Sequence, residues 1–417
     1  MARVLVLTLV FPPDGVSTAR IIGDVAEDLQ RRGHDVTVLT TTPHYNVDIE
    51  AQARHQLRPR WGRLLQTSTF GGMRVFHVLM PRKNRSPVLR VVSWLWFHAV
   101  STAVGFFALP SRPEVVLAPS PPLTMGVGAW LLAARWRAPY IYNVQEIHPD
   151  ILVSLGMIRP GLRFRFLQAL ERFVYRHAGM VTVLTPFAEQ RLLDKGVPPE
   201  RVCVVPNFVD TAAAPEPRPN AFSREHGLDN MFVVTYAGNF GPAQPIHLIL
   251  DAARLLRCEP DIRVVLVGGG TDWMHVAREA SEIANVHVLP YQPSRLMSAI
   301  YGTTDLALVP LAAGTGLDAV PSKVYEIMSY GLPLVAIVDD ASDLARLVKA
   351  AGAGVVVPPC SAASLAAAVR DAAHDREKWR AMGRSGKDHV SQHYSRPNTA
   401  ARYDALVRQL VAPRAPG

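Results

Sequence analysis

The chain has 417 residues, which is too long for one ordinary hydrophobic core, so two domains are expected. With 49% hydrophobic and 19% charged residues, its composition is that of a globular protein and excludes a disordered one. The net charge of +9 favours an anionic partner, and three widely separated cysteines exclude a disulfide framework or a zinc site and indicate a reducing compartment.

The chain begins with a short apolar run from Val4 to Phe11. This run is followed by Pro12-Pro13-Asp14-Gly15, without the small residues of a cleavage site, which favours a buried first strand over a signal peptide. The protein is therefore expected not to be secreted.

The first half alternates short apolar runs with helical patterns, which is typical of a doubly wound parallel sheet. The predicted helices are Thr18–Arg32 and Arg163–His177, and the predicted strands are Val4–Val10, Asp35–Thr40, Met73–Met80, Glu114–Ala118, Tyr140–Val144 and Met180–Leu184.

The excess positive charge lies in residues 1–205, which hold 24 Lys and Arg against 14 Asp and Glu. Such a surface suits a phospholipid membrane, a nucleic acid or a polyphosphate lipid, unless it is only a solvated basic face. No acidic residue lies between Glu50 and Glu114, where the basic residues are Arg54, Arg58, Arg60, Arg63, Arg74, Arg82, Lys83, Arg85, Arg90 and Arg112.

The segment Val91–Leu109 has His98 as its only ionisable residue and is long enough to span a membrane. A span there would place strands of one sheet on opposite sides of the bilayer and leave their backbone groups unpaired. We therefore expect a helix that packs on the sheet and touches the bilayer with an apolar surface. A true span and an ordinary buried helix are the alternatives.

A second alternation follows a short strand at Val202–Val205. Its predicted strands are Phe232–Ala237, Val264–Val267, Val286–Leu289, Leu306–Pro310 and Leu334–Ile337, and its predicted helices are Ile246–Arg257, Ser294–Tyr301, Ser322–Ser329 and Leu344–Ala350.

The pattern predicts an α/β protein with two Rossmann-like sheets. We place a first Rossmann-like domain at 1–209, a linker at 210–230, a second Rossmann-like domain at 231–390 and a C-terminal helical segment at 391–417. Open parallel sheets bind ligands at the carboxyl ends of their strands, so the active site is expected in the cleft between the two sheets.

The most informative segment runs from Gly314 to Gly331, directly after the predicted strand Leu306–Pro310. Gly314 and Gly316 permit a tight loop. Pro321 suits the first position of a helix, and Gly331 suits its end. The segment therefore predicts a loop that opens a helix at a strand end.

Backbone N–H groups of Val320, Ser322 and Lys323 would face outwards with the positive end of this helix, and Lys323 adds a full charge. This arrangement predicts phosphate binding. Glu326, one turn further along, can accept hydrogen bonds from ribose hydroxyls, and Asp318 can bind hydroxyls of a transferred sugar. A structural loop with an incidental lysine is the alternative.

Two further strand ends of the second domain carry glycines, which let a diphosphate approach the backbone closely. Tight turns are the alternative explanation. The residues expected near the donor are Gly238, Asn239, Gly241, Gly268 and Gly269.

In the first domain, Gly15 and Val16 lie in the loop after the first strand and are expected on the acceptor side. Glu146, His148 and Asp150 follow the strand Tyr140–Val144. A carboxylate and an imidazole there can orient an acceptor hydroxyl or take its proton. Loop hydrogen bonds and capping of the next helix are an equally open interpretation.

With these residues in place, the chain resembles the family 4 glycosyltransferases of the two-domain GT-B fold nearly end to end. The resemblance rests on FPPDGVSTARIIGDVAEDLQRRGHDVTVLT, LTPFAEQRLLDKGV, VVPNFVD, YAGNFG and VPSKVYEIMSYGLPLVA. NVQEIHPD and VPSKVYEIMSYG look like the subgroup that makes bacterial O-antigen and colanic-acid-like polysaccharides, which includes fucosamine transferases.

The resemblance implies transfer of a sugar from a nucleoside-diphosphate donor with retention of configuration, with no cofactor and no obligatory metal. It implies that Glu326 holds the ribose, Asp318 the donor sugar, and Lys323 the diphosphate, while Gly268–Gly270 and Tyr291 lie by the base. The family's paired acids are two glutamates, so Asp318 is a shortened first acid.

The chain departs from the family pattern after the YAG-type strand. Many members have an arginine and a lysine there, whereas this chain has Asn239 and Gln244. Lys323 must then supply more of the positive charge that holds the diphosphate, or Arg20 must reach across from the first domain to the diphosphate. The loop Ala-Pro-Ser-Pro-Pro also lacks a histidine common in the family, so the acceptor-side role falls to His148 or Glu146.

UDP is the expected nucleotide, and a polyprenyl-diphosphate-linked or other lipid-anchored glycan is the expected acceptor. The basic apolar stretch 54–112 is expected to meet an anionic membrane at the inner face of the cell membrane. A nucleotide-sugar epimerase of the same fold is the first rival, although it would need no membrane surface. A basic nucleic-acid-binding protein is the second, although it would not need three phosphate-binding strand ends.

Overall fold

The structure, a computed structural model, describes residues 1–44, 56–61, 64–80, 87–154, 156, 158–209, 214–314 and 320–412. The chain forms two compact units. The first unit comprises Met1–Asp150, Arg159–Asn207 and Pro397–Gly417, and the second comprises Ile151–Ile158 and Phe208–Arg396.

The first unit contains a nine-stranded sheet with the order β3-β4-β5-β2-β1-β6-β7-β8-β9. Its strands are β1 (Arg3–Leu7), β2 (Asp35–Thr41), β3 (Arg58–Trp61), β4 (Leu65–Phe70), β5 (Met73–Val78), β6 (Val115–Pro119), β7 (Tyr140–Val144), β8 (Met180–Val183) and β9 (Val202–Val204).

Seven of these strands pair in parallel, as predicted, whereas β3 and β4 pair antiparallel beside β5. The predicted parallel sheet therefore continues at one edge into an antiparallel pair of strands that the sequence did not predict. The two added strands are mostly exposed or half-buried, so no continuous apolar run marks them in the sequence.

The second unit contains a six-stranded parallel sheet with the order β12-β11-β10-β13-β14-β15. Its strands are β10 (Phe232–Asn239), β11 (Ile262–Gly269), β12 (Val286–Leu289), β13 (Leu306–Pro310), β14 (Leu334–Ile337) and β15 (Gly354–Val357).

Helices connect the strands and cover both sheets. In chain order they are α1 (Ser17–Arg31), α2 (Pro87–Phe107), α3 (Thr124–Trp136), α4 (Asp150–Ser154), α5 (Leu162–His177), α6 (Pro186–Asp194), α7 (Ala221–Glu225), α8 (Ile246–Leu255), α9 (Trp273–Ala280), α10 (Met297–Thr303), α11 (Lys323–Ser329), α12 (Asp343–Ala351), α13 (Ala362–His374), α14 (Arg376–His393) and α15 (Arg396–Val411). Short 3₁₀ turns lie at Pro199–Arg201 and Ser294–Leu296.

The predicted strands and helices are present, with ends shifted by a few residues. The parallel strands carry almost continuous apolar sequence because helices cover both faces of a parallel sheet. In β1, for example, Val4, Leu5, Val6 and Leu7 are all buried. The two α/β units with parallel sheets therefore confirm the predicted fold class.

Helix α2 packs on β2 and β5 and against α3. Phe97 and Val104 are buried on its inner side, whereas Leu95 and Phe107 are exposed. Across the described residues, no helix is long and apolar enough to cross a membrane.

The segment 210–230 is more structured than the predicted linker. It contains α7, which Asn220 caps, and the guanidinium of Arg218 donates to both carboxylate oxygens of Asp305 at 3.0 and 3.1 Å. Its prolines conceal the five-residue helix from a periodicity argument. Residues 210–213 lie outside the described residues.

Helix α15 belongs to the first unit. Its Asp404 carboxylate lies 2.7 Å from Nε2 of the buried His34, and Arg402 donates to the Val204 carbonyl at 2.8 Å. The side chains of Tyr403 and Val407, both in this helix, are buried. The last helix therefore completes the core of the unit in which the chain begins.

Candidate functional site

In the second unit, four neighbouring strands end at one edge of the sheet. Strands β10 and β11 run in register to their last residues, with Gly238 beside Gly268 and Asn239 beside Gly269. A Cβ atom on Gly268 would collide with the carbonyl oxygen of Gly238, and one on Gly241 would lie 2.7 Å from Nδ2 of Asn239. The predicted glycines therefore meet here, and the close approach of the two strands already requires Gly268.

Tyr291 follows β12 and lies over the end of β11. Its hydroxyl donates to the Gly269 carbonyl at 2.9 Å, while 59% of the residue stays exposed. This hydrogen bond holds an aromatic ring at the edge where the sequence predicts the nucleobase.

Lys323 is the first residue of α11, and its Nζ donates a hydrogen bond to the carbonyl oxygen of Ala237 in β10. An ammonium group carries three N–H donors, so donors remain for a ligand. Burial lowers the pKa of Lys323 below its ordinary value, and the nearby Glu326 opposes this effect. Lys323 is thus a half-buried cation held against the end of β10.

The residues around Lys323 partly match the prediction. Ser322 precedes the helix with helical backbone angles and no side-chain cap, and Val320 is buried. Glu326 lies one turn along α11, half-buried. Asp318 and Gly316, which the sequence places in the sugar-binding loop, lie outside the described residues.

Sequence reasoning missed Tyr301 of α10. Its side chain is buried, and among the described residues its hydroxyl has no hydrogen-bond partner. Burial, Glu326 and Tyr330 raise the pKa of Tyr301 well above its ordinary value. Nothing in the apolar pattern of α10 distinguishes Tyr301 from an ordinary core residue.

Two polar contacts fix the loops at this edge. Asn239 donates to Gln244 at 3.2 Å, so the positions of the family's basic pair hold a neutral amide pair. The Gly314 N–H donates to the Asp339 carboxylate at 2.7 Å, where the loop after β13 begins. Asp339 was not predicted as a site residue, because it follows a different strand.

In the first unit, the loops after β1 and β2 meet at the carboxyl edge. Gly15 is exposed, and Val16 begins α1 with extended backbone angles. The Asp14 carboxylate accepts the His44 N–H at 2.9 Å, and the His44 Nδ1 lies 2.9 Å from the Thr41 hydroxyl. Sequence reasoning missed His44, since no motif marks the end of β2.

The predicted group after β7 is only partly assembled. His148 Nε2 lies 4.0 Å from the half-exposed Glu146 carboxylate. Asp150 instead accepts from Arg191 at 2.6 Å and from Lys195 at 3.0 Å. Asp150 is therefore held by ion pairs with residues of α6 and the turn after it, and it does not join His148 and Glu146.

Lys195 also donates to both oxygens of Glu171, at 2.7 and 2.8 Å. Glu171 is only 2% exposed. Burial raises the pKa of Glu171, and Lys195 opposes this rise. Sequence reasoning missed this buried ion pair, because its members lie on separate helical segments.

Two protein-family models match this chain. Residues 18–207 match the model of a glycosyl transferase 4-like domain, and residues 220–389 match that of the glycosyl transferases group 1. Together the two matches cover most of the chain.

Curated relatives include the putative colanic acid biosynthesis glycosyl transferase WcaI of Escherichia coli, 25% identical over 89% of this chain and 92% of the relative. The probable glycosyltransferase WbjE of Pseudomonas aeruginosa is 24% identical over 80% of this chain and 84% of its own.

Solved structures share the fold. HepE of Anabaena, in complex with UDP, aligns with a TM-score of 0.72 and 16% identity over 98% of this chain and all of its own. Sucrose-phosphate synthase from Thermosynechococcus elongatus aligns with a TM-score of 0.71 and 16% identity over 98% of this chain and 99% of its own.

Proposed function

This chain belongs to the family 4 glycosyltransferases of the GT-B fold. We propose that it transfers the sugar of a UDP-sugar donor to a lipid-linked glycan. We further propose that it works in cell-surface polysaccharide synthesis, in the subgroup that includes fucosamine transferases. The name of WcaI supports a role in polysaccharide synthesis, and the names of WcaI and WbjE, which align with most of this chain, support glycosyl transfer. The subgroup rests on the resemblance of NVQEIHPD and VPSKVYEIMSYG.

The observation that carries the donor assignment is the position of Lys323. Its ammonium group lies against the end of β10, beside Gly238. A half-buried cation at a strand end stabilises the negative charge of a departing diphosphate more strongly than an exposed one, because less water screens it. The carboxylate of Glu326, one turn further along α11, is then placed to accept hydrogen bonds from the ribose hydroxyls.

The transfer we propose retains the anomeric configuration. The bond from the anomeric carbon to the diphosphate oxygen breaks as the acceptor oxygen attacks on the same face, through an oxocarbenium-like state. Lys323 stabilises the departing diphosphate, so the step needs no metal. His148, which faces Glu146, is the proposed group that takes the acceptor proton.

The proposed acceptor is lipid-linked because the first unit combines cationic and apolar exposure. Arg58 and Arg60 in β3 are exposed beside Trp61, and Leu95 and Trp96 are exposed on α2. Such a surface suits an anionic bilayer. We propose that the enzyme binds the inner face of the cell membrane peripherally through this surface.

Nucleotide binding to the full chain tests the donor assignment. Thermal shift is measured with UDP, GDP and ADP, and then with their sugars, for the wild type and for Glu326→Ala. Lys349→Ala is the control, because this exposed lysine of α12 pairs with Asp340 elsewhere on the second unit. We expect UDP to stabilise the wild type and the control and to stabilise Glu326→Ala less.

Equal stabilisation of all three proteins would contradict the site assignment. Selective binding of DNA without any nucleotide response would favour the nucleic-acid-binding rival. Interconversion of UDP-sugars without transfer to any acceptor would favour the epimerase.

A further inference from the structure

The first unit contains a cavity of about 580 Å³ at the edge of its sheet opposite the strand carboxyl ends. It lies between the C-terminal half of α5, the turn after α6 and the 3₁₀ turn Pro199–Arg201. Helix α5 ends just before β8 begins, and Arg201 directly precedes β9. The cavity is therefore at the amino ends of these strands.

Cationic side chains dominate this cavity. Its basic lining residues are Arg172, Arg176, His177, Lys195 and Arg201, and none of its lining residues is an aspartate or a glutamate. Lys195 is neutralised by the buried Glu171. The remaining arginines have no such compensation.

The arginines have donors to spare. Within the described parts of the chain, Arg172 and Arg176 form no ion pair. Arg201 donates one hydrogen bond, from Nη1 to the Arg176 carbonyl at 3.0 Å, and it too pairs with no described carboxylate. Three guanidinium groups thus converge on one cavity with most of their N–H donors unused.

Compensation of the helix dipole explains only part of this arrangement. Cations near the end of α5 stabilise its negative C-terminus, and Arg176 and Arg201 lie there. Arg172 lies a full turn earlier and lines the same cavity. Converging like charges repel one another, and a bound anion removes that repulsion.

A guanidinium group can donate two parallel hydrogen bonds to two oxygens of one phosphate group. A chloride ion is a single atom and cannot accept such a pair. Phe173 and Val197 add an apolar wall to the cavity, which suits the carbon part of a ligand. We propose that this cavity binds an organic polyphosphate, at a site separate from the donor edge of the second unit. The site does not depend on the proposed function.

Isothermal titration of the full chain with inorganic tripolyphosphate tests the site. The variant Arg172→Gln/Arg176→Gln removes two of the three guanidinium groups, and we expect it to bind about tenfold more weakly or worse. Both residues are exposed, so the variant should fold, and circular dichroism checks this. ATP is then titrated in the same way to test the organic ligand class.

The matched control is Arg163→Gln/Arg165→Gln, which makes the same charge change on the same helix outside the cavity. We expect its affinity to stay within about twofold of wild type, since a screened distant charge contributes little. The titrations are run with saturating UDP, which occupies the proposed diphosphate site at Lys323, and Lys323→Ala should then keep the cavity-dependent binding, so loss of the donor site and loss of this site can be told apart.

If both double variants lost tripolyphosphate affinity equally, the loss would come from the lower net positive charge of the protein and not from the cavity. This result would overturn the proposal. Unchanged tripolyphosphate affinity in Arg172→Gln/Arg176→Gln would overturn it as well. If that variant lost only binding to phosphatidylglycerol vesicles, measured against phosphatidylcholine vesicles, the anion would be a lipid headgroup and the free-ligand proposal would be wrong.

Discussion

The Nζ of Lys323 donates a hydrogen bond to the carbonyl oxygen of Ala237, and this contact joins segments 86 residues apart in the sequence. It fixes the start of α11 against the end of β10, one residue before Gly238. Two motifs that are separately weak signs of phosphate binding are thereby brought to one place.

Replacement of Lys323 by alanine should lower donor turnover by about 10²–10³, the range for loss of one preorganised charge donor. The reason is that the departing diphosphate loses its nearest cation at the β10 end. Turnover of UDP-sugar, including hydrolysis, measures the effect, with Lys349→Ala as the charge-matched control. Wild-type turnover in Lys323→Ala would show that the donor site lies elsewhere.

The pH dependence of kcat/KM for the donor should reveal the lowered pKa of Lys323. Because burial holds this pKa below the ordinary 10.5, the ammonium loses its proton at a lower pH than an exposed lysine does. We therefore expect kcat/KM to fall on the alkaline side before pH 10.5. In Lys323→Arg the guanidinium stays charged, so any remaining activity should lack this fall.

Lys195→Met should destabilise the first unit by about 3–5 kcal/mol, because it leaves the buried Glu171 carboxylate without its cation. The double variant Glu171→Gln/Lys195→Met should recover much of this loss, since no uncompensated charge remains. Urea unfolding measures both. If the double variant were as unstable as Lys195→Met, packing rather than charge would explain the effect.

His98 should make the first unit less stable in acid. Burial lowers the pKa of His98 to about 4, and the unfolded chain has the ordinary value of 6.5. The unfolded state then binds more protons between these values, so stability is present above pH 6.5 and is lost as pH falls towards 4. At pH 4.5 the loss amounts to about 2–3 kcal/mol.

The variant His98→Gln should lack this component of the acid dependence, whereas the control His275→Gln should keep it. His275 is an exposed residue of α9 in the second unit. Urea unfolding at pH 7 and pH 4.5 gives the comparison. An identical acid loss in His98→Gln and wild type would contradict a buried neutral imidazole.

The parallel strands were predictable because burial on both faces demands nearly continuous apolar sequence, as in Val4–Leu7. Strand β3, by contrast, is fully exposed and reads Arg-Pro-Arg-Trp, so only its partner β4 identifies it as a strand. The edge strands therefore depend on pairing that a single sequence does not display.

The meeting of the glycines and Lys323 at one edge of the second sheet was predictable, since strand ends of one parallel sheet share an edge. The contacts of buried polar groups were not. Glu171 and Lys195 lie on separate elements, as do Asp14 and His44. Their partners depend on tertiary packing, for which the sequence has no spacing rule.

The return of α15 to the first unit has a practical consequence for dissecting the molecule. A fragment that stops at Asn207 would lack α15, whose Tyr403 and Val407 are buried in this unit and whose Asp404 pairs with His34. It would expose apolar surface and should aggregate. Separate expression of the first unit therefore calls for a permuted gene, in which residues 397–412 are fused through a linker ahead of residue 1.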